Sequence, residues 1–65
     1  MNIKSVTRTR VYGGQKKGDW YRVEYKSGVF RNFRVEDVPN TVREFINSAN
    51  AETKDKAGHY IVYTA

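Results

Sequence analysis

The chain has 65 residues, with 12 Lys/Arg against 7 Asp/Glu and no cysteine, for a net charge of +5. A chain this short makes one domain, residues 1–65, and buries only about 60% of the surface its unfolded form exposes. Disulfides and thiolate metal sites are excluded, a single histidine does not build a zinc site, and no apolar run approaches the ~20 residues that span a bilayer.

The N-terminal MNIKSVTRTR lacks the hydrophobic centre of a secretory signal, so a cytoplasmic, cofactor-free domain is expected. Aromatic burial must carry much of its stability, at roughly 1.5–3 kcal/mol for each fully buried ring. Charge is unevenly spread. Residues 1–34 hold nine Lys/Arg and two acids, or +7, and residues 35–65 hold three Lys/Arg and five acids, or −2. The basic half is expected to meet an anion.

Asn2 to Tyr12 is β-prone and reads as a first strand. If it is regular, Lys4, Val6, Arg8, Arg10 and Tyr12 share one face, and Ile3, Ser5, Thr7, Thr9 and Val11 the other. Neither face is cleanly apolar, which makes a bulge near Val6-Thr7 plausible. Gly13 to Asp19 is a polar, glycine-rich connection expected to be a mobile hairpin loop. Its Lys16 and Lys17 read either as a solvated tip or as phosphate contacts.

From Trp20 to Lys26 the period is two, with Tyr21, Val23 and Tyr25 inward and Trp20, Arg22 and Glu24 outward. Trp20 fits a binding surface, a sheet edge or a cover for the helix end. Ser27-Gly28 turns the chain into a third strand, Val29 to Val35, with Val29, Arg31, Phe33 and Val35 on one face and Phe30, Asn32 and Arg34 on the other. The open face is thus expected to gather Arg8, Arg10, Trp20, Arg22, Phe30, Asn32 and Arg34.

After Pro39 the period changes. Val42, Phe45, Ile46 and Ala49 form one helical stripe that should dock on the inward sheet face. Thr41 with Glu44 fits a capping box, with Asp37 or Asn40 as other caps, and the helix should fade near Glu52. Thr53 to Gly58 reads as a charged loop, and His59 to Thr64 as a last strand returning to a sheet edge. The expected fold is α+β, a small antiparallel sheet of three to four strands with one helix on one face, in the order β-β-β-α-β. Its expected core is Tyr21, Val23, Tyr25, Phe33, Val42, Phe45 and Ile46, closed by Tyr60 or Ile61.

Several runs bear a family likeness. Ser5 on the first strand, Val23 to Gly28, Val38-Pro39 before the helix, and Gly58 to Ile61 before the last strand resemble the KTSC domain. That resemblance implies only a loose link to nucleic-acid-related proteins, and this chain lacks the family's cysteine. The run Trp20 to Ala49 resembles the arm-binding domain of tyrosine recombinases, which implies a sheet that reads DNA, although the strands before and after it are not part of that pattern.

No GxSxG, P-loop or HExxH pattern occurs, Glu36-Asp37 is explained by a strand-to-helix turn, and His59 reads as structural, so a non-enzyme is expected. Arginines interleaved with aromatics combine phosphate attraction with base stacking. The sequence therefore predicts a largely sequence-nonspecific nucleic-acid-binding module, for DNA or RNA, using Arg8, Arg10, Lys16, Lys17, Trp20, Arg22, Phe30 and Arg34. The rival is a phage-type or accessory inhibitor docking its open sheet face or an edge strand on an acidic protein partner.

Overall fold

The computed structural model of the chain describes residues 2–54 and 60–65. Strands β1 (Ile3–Val11), β2 (Gly18–Tyr25) and β3 (Phe30–Arg34) lead through a 3-10 turn, Val35–Asp37, to helix α1 (Asn40–Ser48). Strands β4 (Asn50–Thr53) and β5 (Ile61–Thr64) follow. All pairings are antiparallel, and the sheet order is β3-β2-β1-β5-β4. The fold is α+β as expected, but the sheet has five strands rather than three or four. Asn50–Thr53, expected to be fading helix and loop, forms the extra strand. That strand takes the edge, so β5 lies inside the sheet between β1 and β4. The rest of the expected loop and the expected strand start at His59 fall on residues 55–59, outside the described residues.

One irregularity decides which side chains face which way. Ile3 pairs with Tyr25 and Ser5 with Glu24, so β1 spends two steps where β2 spends one. This is a β-bulge at Lys4, earlier than the Val6-Thr7 position expected. In a regular strand Ile3 and Val6 would point to opposite sides; the extra residue puts both in the core. From Val6 onward the ladder is regular, with Val6 opposite Val23, Arg8 opposite Tyr21 and Arg10 opposite Asp19. Directly paired residues share a face. Arg8 and Arg10 therefore lie on the Tyr21 side, with the helix, and not on the open face with Trp20, Arg22 and Arg34.

The core consists of Ile3, Val6, Tyr21, Val23, Val38 and Val42, with Tyr25, Phe33, Val35, Phe45, Ile46 and Tyr63 packed against it. Tyr21, Val23, Tyr25, Phe33, Val42, Phe45 and Ile46, the expected core, are all there, but Ala49, the last of the expected helix stripe, lies past the end of α1 in extended backbone, and Val29, expected on the inward face of the third strand, is half exposed. Ile3, Val6 and Val38 are additions, and Tyr63 closes the side assigned to Tyr60 or Ile61, since the bulge and the β1–β5 register bring it opposite Val6. The expected capping box is not formed: Pro39 occupies the N-cap in an extended conformation, with no side-chain cap hydrogen bond. Its carbonyl instead accepts from the Val42 and Arg43 amides at 3.0 and 3.2 Å. At the other end the Ser48 hydroxyl bonds back to the Glu44 carbonyl at 3.0 Å, and Ala49 is already extended, so α1 stops well before Glu52.

Val6, Val23 and Val42 have no exposed surface. Val23→Ala removes two buried methyl carbons and leaves a void, which is expected to cost about 2 kcal/mol in urea unfolding. A variant with an unchanged urea midpoint would contradict the placement of Val23 at the centre of the core.

Candidate nucleic-acid interface

The face of the sheet away from α1 is a grid set by register. Phe30 lies beside Glu24, which lies beside Ser5; Asn32 beside Arg22 beside Thr7; Arg34 beside Trp20 beside Thr9. The β2 and β3 positions carry the large side chains, and β1 contributes Ser5, Thr7, Thr9 and, at the loop end, Val11. Two guanidinium groups lie over rings on this grid: Arg22 is 4.3 Å from the Phe30 centroid and Arg34 is 4.5 Å from that of Trp20. Such stacks orient the cation and leave its edge available to acceptors.

The connection between β1 and β2 is not the loose tip expected from its composition. Three consecutive carbonyls, those of Gln15, Lys16 and Lys17, are gripped from the open face. Trp20 Nε1 donates to the Lys16 carbonyl at 2.7 Å, while Arg34 Nη1 and Nη2 donate to the Lys17 and Gln15 carbonyls at 3.0 and 3.1 Å. The Lys17 amide also bonds the Gly14 carbonyl at 3.3 Å, closing a turn at which Gly14 has a φ of 81°, a conformation open to glycine. Gly18 has a φ of 130°, and a Cβ there would sit 3.3 Å from Arg34 Nη1, so glycine also admits the guanidinium. Hydrogen bonds from a rigid fork and an indole thus supply the order that burial does not.

Lys16 and Lys17 are exposed and, with Arg22 and Arg34, make no ion pair among the described residues. The acids of this face are already matched. Glu24 is 3.7 Å from Lys4 and accepts from the Ser5 hydroxyl at 3.4 Å, and Glu52 is 3.3 Å from Lys54. Four cations that have no acidic partner among the described residues thus share this face with two rings and an amide, Asn32: Lys16, Lys17, Trp20 and Arg34 at the end nearest the β1–β2 loop, and Arg22 reaching Phe30 toward the β2–β3 turn.

Arg8 and Arg10 do different work on the other face. Both grip Asp19, Arg8 Nη2 at 3.2 Å and Arg10 Nε at 2.8 Å, and Arg8 stands 5.9 Å from the Tyr21 ring. The hydrogen bond from Arg10, followed by that from Arg8, holds the Asp19 carboxyl below its ordinary range. Asp19 in turn raises Arg10, mainly through the same hydrogen bond. This clamp ties the two strands of the β1–β2 hairpin together and leaves one net positive charge from three ionised groups. Of the eight residues expected at the interface, six are gathered on the open face and its loop, and the bulge removes these two. The hydroxyl row Ser5, Thr7, Thr9 and the aromatic Tyr60 belong to the open face but were not among the expected site residues. Their period-2 spacing on β1 was the available signal for the hydroxyls. No helix is long and apolar enough to cross a membrane among the described residues.

The carboxyl of Asp19 has a lowered folded-state pKa against an ordinary value of 3.8, so its stabilisation is present above the unfolded value and is lost as pH falls through the folded one. The stability difference between the parent and Asp19→Asn is expected to be constant above about pH 5 and to shrink below about pH 4. A difference that stays constant down to pH 2, about two units below an unperturbed carboxyl, would contradict the clamp. For the loop, Arg34→Lys keeps the charge but lacks the planar fork. Trypsin cleavage after Lys16 and Lys17, followed by mass spectrometry, is expected to speed up several-fold in that variant; an unchanged rate would show that Arg34 does not hold the loop.

No protein-family model, curated protein or solved structure matches this chain, so neither family resemblance gains a relative to support it.

Proposed function

We propose that this chain is a small nucleic-acid-binding module with little sequence preference, and that the open sheet face carries the binding. The observation that supports it most is the meeting of Arg22, Arg34, Lys16 and Lys17, none with an acidic partner among the described residues, around the Phe30 and Trp20 rings. Cations of this kind attract phosphate regardless of sequence, and rings offer stacking to any base. The contact set of this proposal is Lys16, Lys17, Trp20, Arg22, Phe30 and Arg34. Arg8 and Arg10 are left out because Asp19 holds them on the helix side. Both family resemblances lean toward nucleic acid as well. The helix is not a recognition element: its one arginine, Arg43, turns back to the Val38 carbonyl at 3.3 Å, and Glu44 follows it.

An acidic protein docking on the same face is the second reading. It is favoured by Phe30 and Tyr60, two exposed rings that line the same hollow of this face.

Salt separates the two. For three or four phosphates held, affinity for a short single-stranded DNA is expected to fall roughly 20- to 50-fold between about 50 and 200 mM salt. Arg22→Glu should weaken binding by at least about tenfold at the lower salt, since it replaces a phosphate contact by a repulsion. Binding to neither DNA nor RNA at ~50 mM salt, where phosphate contacts are strongest, would overturn the proposal and leave the protein partner.

A further inference from the structure

Along β1 the open face sinks into a trough. Its floor is Ser5, Thr7 and Thr9, whose short side chains lie between taller walls. One wall is Arg22 stacked against Phe30, and the other is Tyr60, which directly precedes β5 and shares the trough lining with them. Phe30 is 48% exposed and Tyr60 38%. Neither belongs to the core cluster. At one end of the trough lies the Lys16, Trp20 and Arg34 corner, and at the other Glu24, which Lys4 and Ser5 already engage.

We propose that this trough takes an unpaired base, so that the ligand of the open face is a single strand of nucleic acid and not a duplex. The inference rests on the nucleic-acid reading above and narrows its substrate class. A stacking wall acts on the flat face of a base. In a duplex those faces are covered by neighbouring base pairs and only edges and phosphates are reachable, whereas in a single strand a base can turn out and lie against a ring. Tyr60 and the Arg22–Phe30 stack present such surfaces on either side of the floor, and arginine planes stack bases as rings do. The floor hydroxyls both donate and accept, so they can meet the edge of any base without choosing among them. The charge is placed to match, since a strand with a base in the trough reaches Lys16, Lys17 and Arg34 with its adjoining phosphates. Helix α1 lies on the far side of the sheet from the trough.

The test is fluorescence anisotropy of the full chain with a labelled oligonucleotide of about 12 nucleotides, a length covering one small sheet face, as a single strand and as its duplex at about 50 mM salt. The parent is expected to bind the single strand at least about tenfold more tightly than the duplex. Tyr60→Ala and, separately, Phe30→Ala should each weaken single-strand binding about five- to a hundredfold and leave duplex binding within about twofold, while Tyr60→Phe, which keeps the ring, should bind like the parent. Duplex binding as tight as single-strand binding, or Tyr60→Ala and Phe30→Ala both binding like the parent, would overturn the trough while leaving the nucleic-acid reading intact. Binding of neither form would overturn both. The comparison of single strand with duplex uses the parent alone and so does not depend on how well a variant folds.

Discussion

The arrangement depends on the register of β1 against β2, and that register depends on one extra residue. With the bulge at Lys4, Ile3 and Val6 both enter the core, opposite Tyr25 and Val23. A one-residue slip would turn every β1 side chain over, because side chains alternate along a strand. Val6 would then face solvent and the hydroxyl row Ser5, Thr7, Thr9 would face α1. Burying three hydroxyls without partners costs several kcal/mol, which a core of this size does not offset. The same register places Arg10 opposite Asp19, so the ion clamp and the packed valines reinforce one choice.

Separation of the arginines follows directly. The basic half of the chain looks like one charged surface, but the sheet divides it into two. On the helix side, positive charge is spent on Asp19, which joins neighbouring strands. On the open side, guanidinium groups rest on aromatic rings and keep their edges toward solvent or toward loop carbonyls. Arg34 and Trp20 also serve the loop: by turning three successive carbonyls toward the sheet they fix the backbone from which Lys16 and Lys17 project. A loop fixed before it meets a ligand loses less conformational entropy on binding than a free one, and this favours affinity without adding a contact.

Much of this was legible in the sequence where a period was uninterrupted. Tyr21, Val23 and Tyr25 alternate cleanly, and Val42, Phe45 and Ile46 repeat at helical spacing, so the hairpin, the helix and most of the core could be read from them. The failures share a physical cause. The mixed faces of β1 signalled a bulge but not its place, and with the irregularity at Lys4 instead of Val6-Thr7 the expected face of Arg8 and Arg10 came out wrong. Asn50–Thr53 is short, polar and exposed; it is a strand because β5 offers it a ladder, a tertiary effect with no local signal. The polar 13–19 connection was expected to be loose because its own residues bury little, yet its order comes from Trp20 and Arg34, of which Arg34 lies many residues downstream.

The central claim is that one sheet face, defined by the β1–β2 register, binds the ligand and the other does not. Its most direct measurement is a two-dimensional NMR titration of isotope-labelled protein with a short single-stranded oligonucleotide, observing both backbone amides and arginine Nε–H groups. The account predicts shifts at Thr7, Thr9, Arg22, Asn32 and Arg34, with Arg8, Arg10 and Arg43 unmoved. Shifts concentrated on Arg8, Arg10 and Arg43, with Arg22 and Arg34 silent, would contradict it.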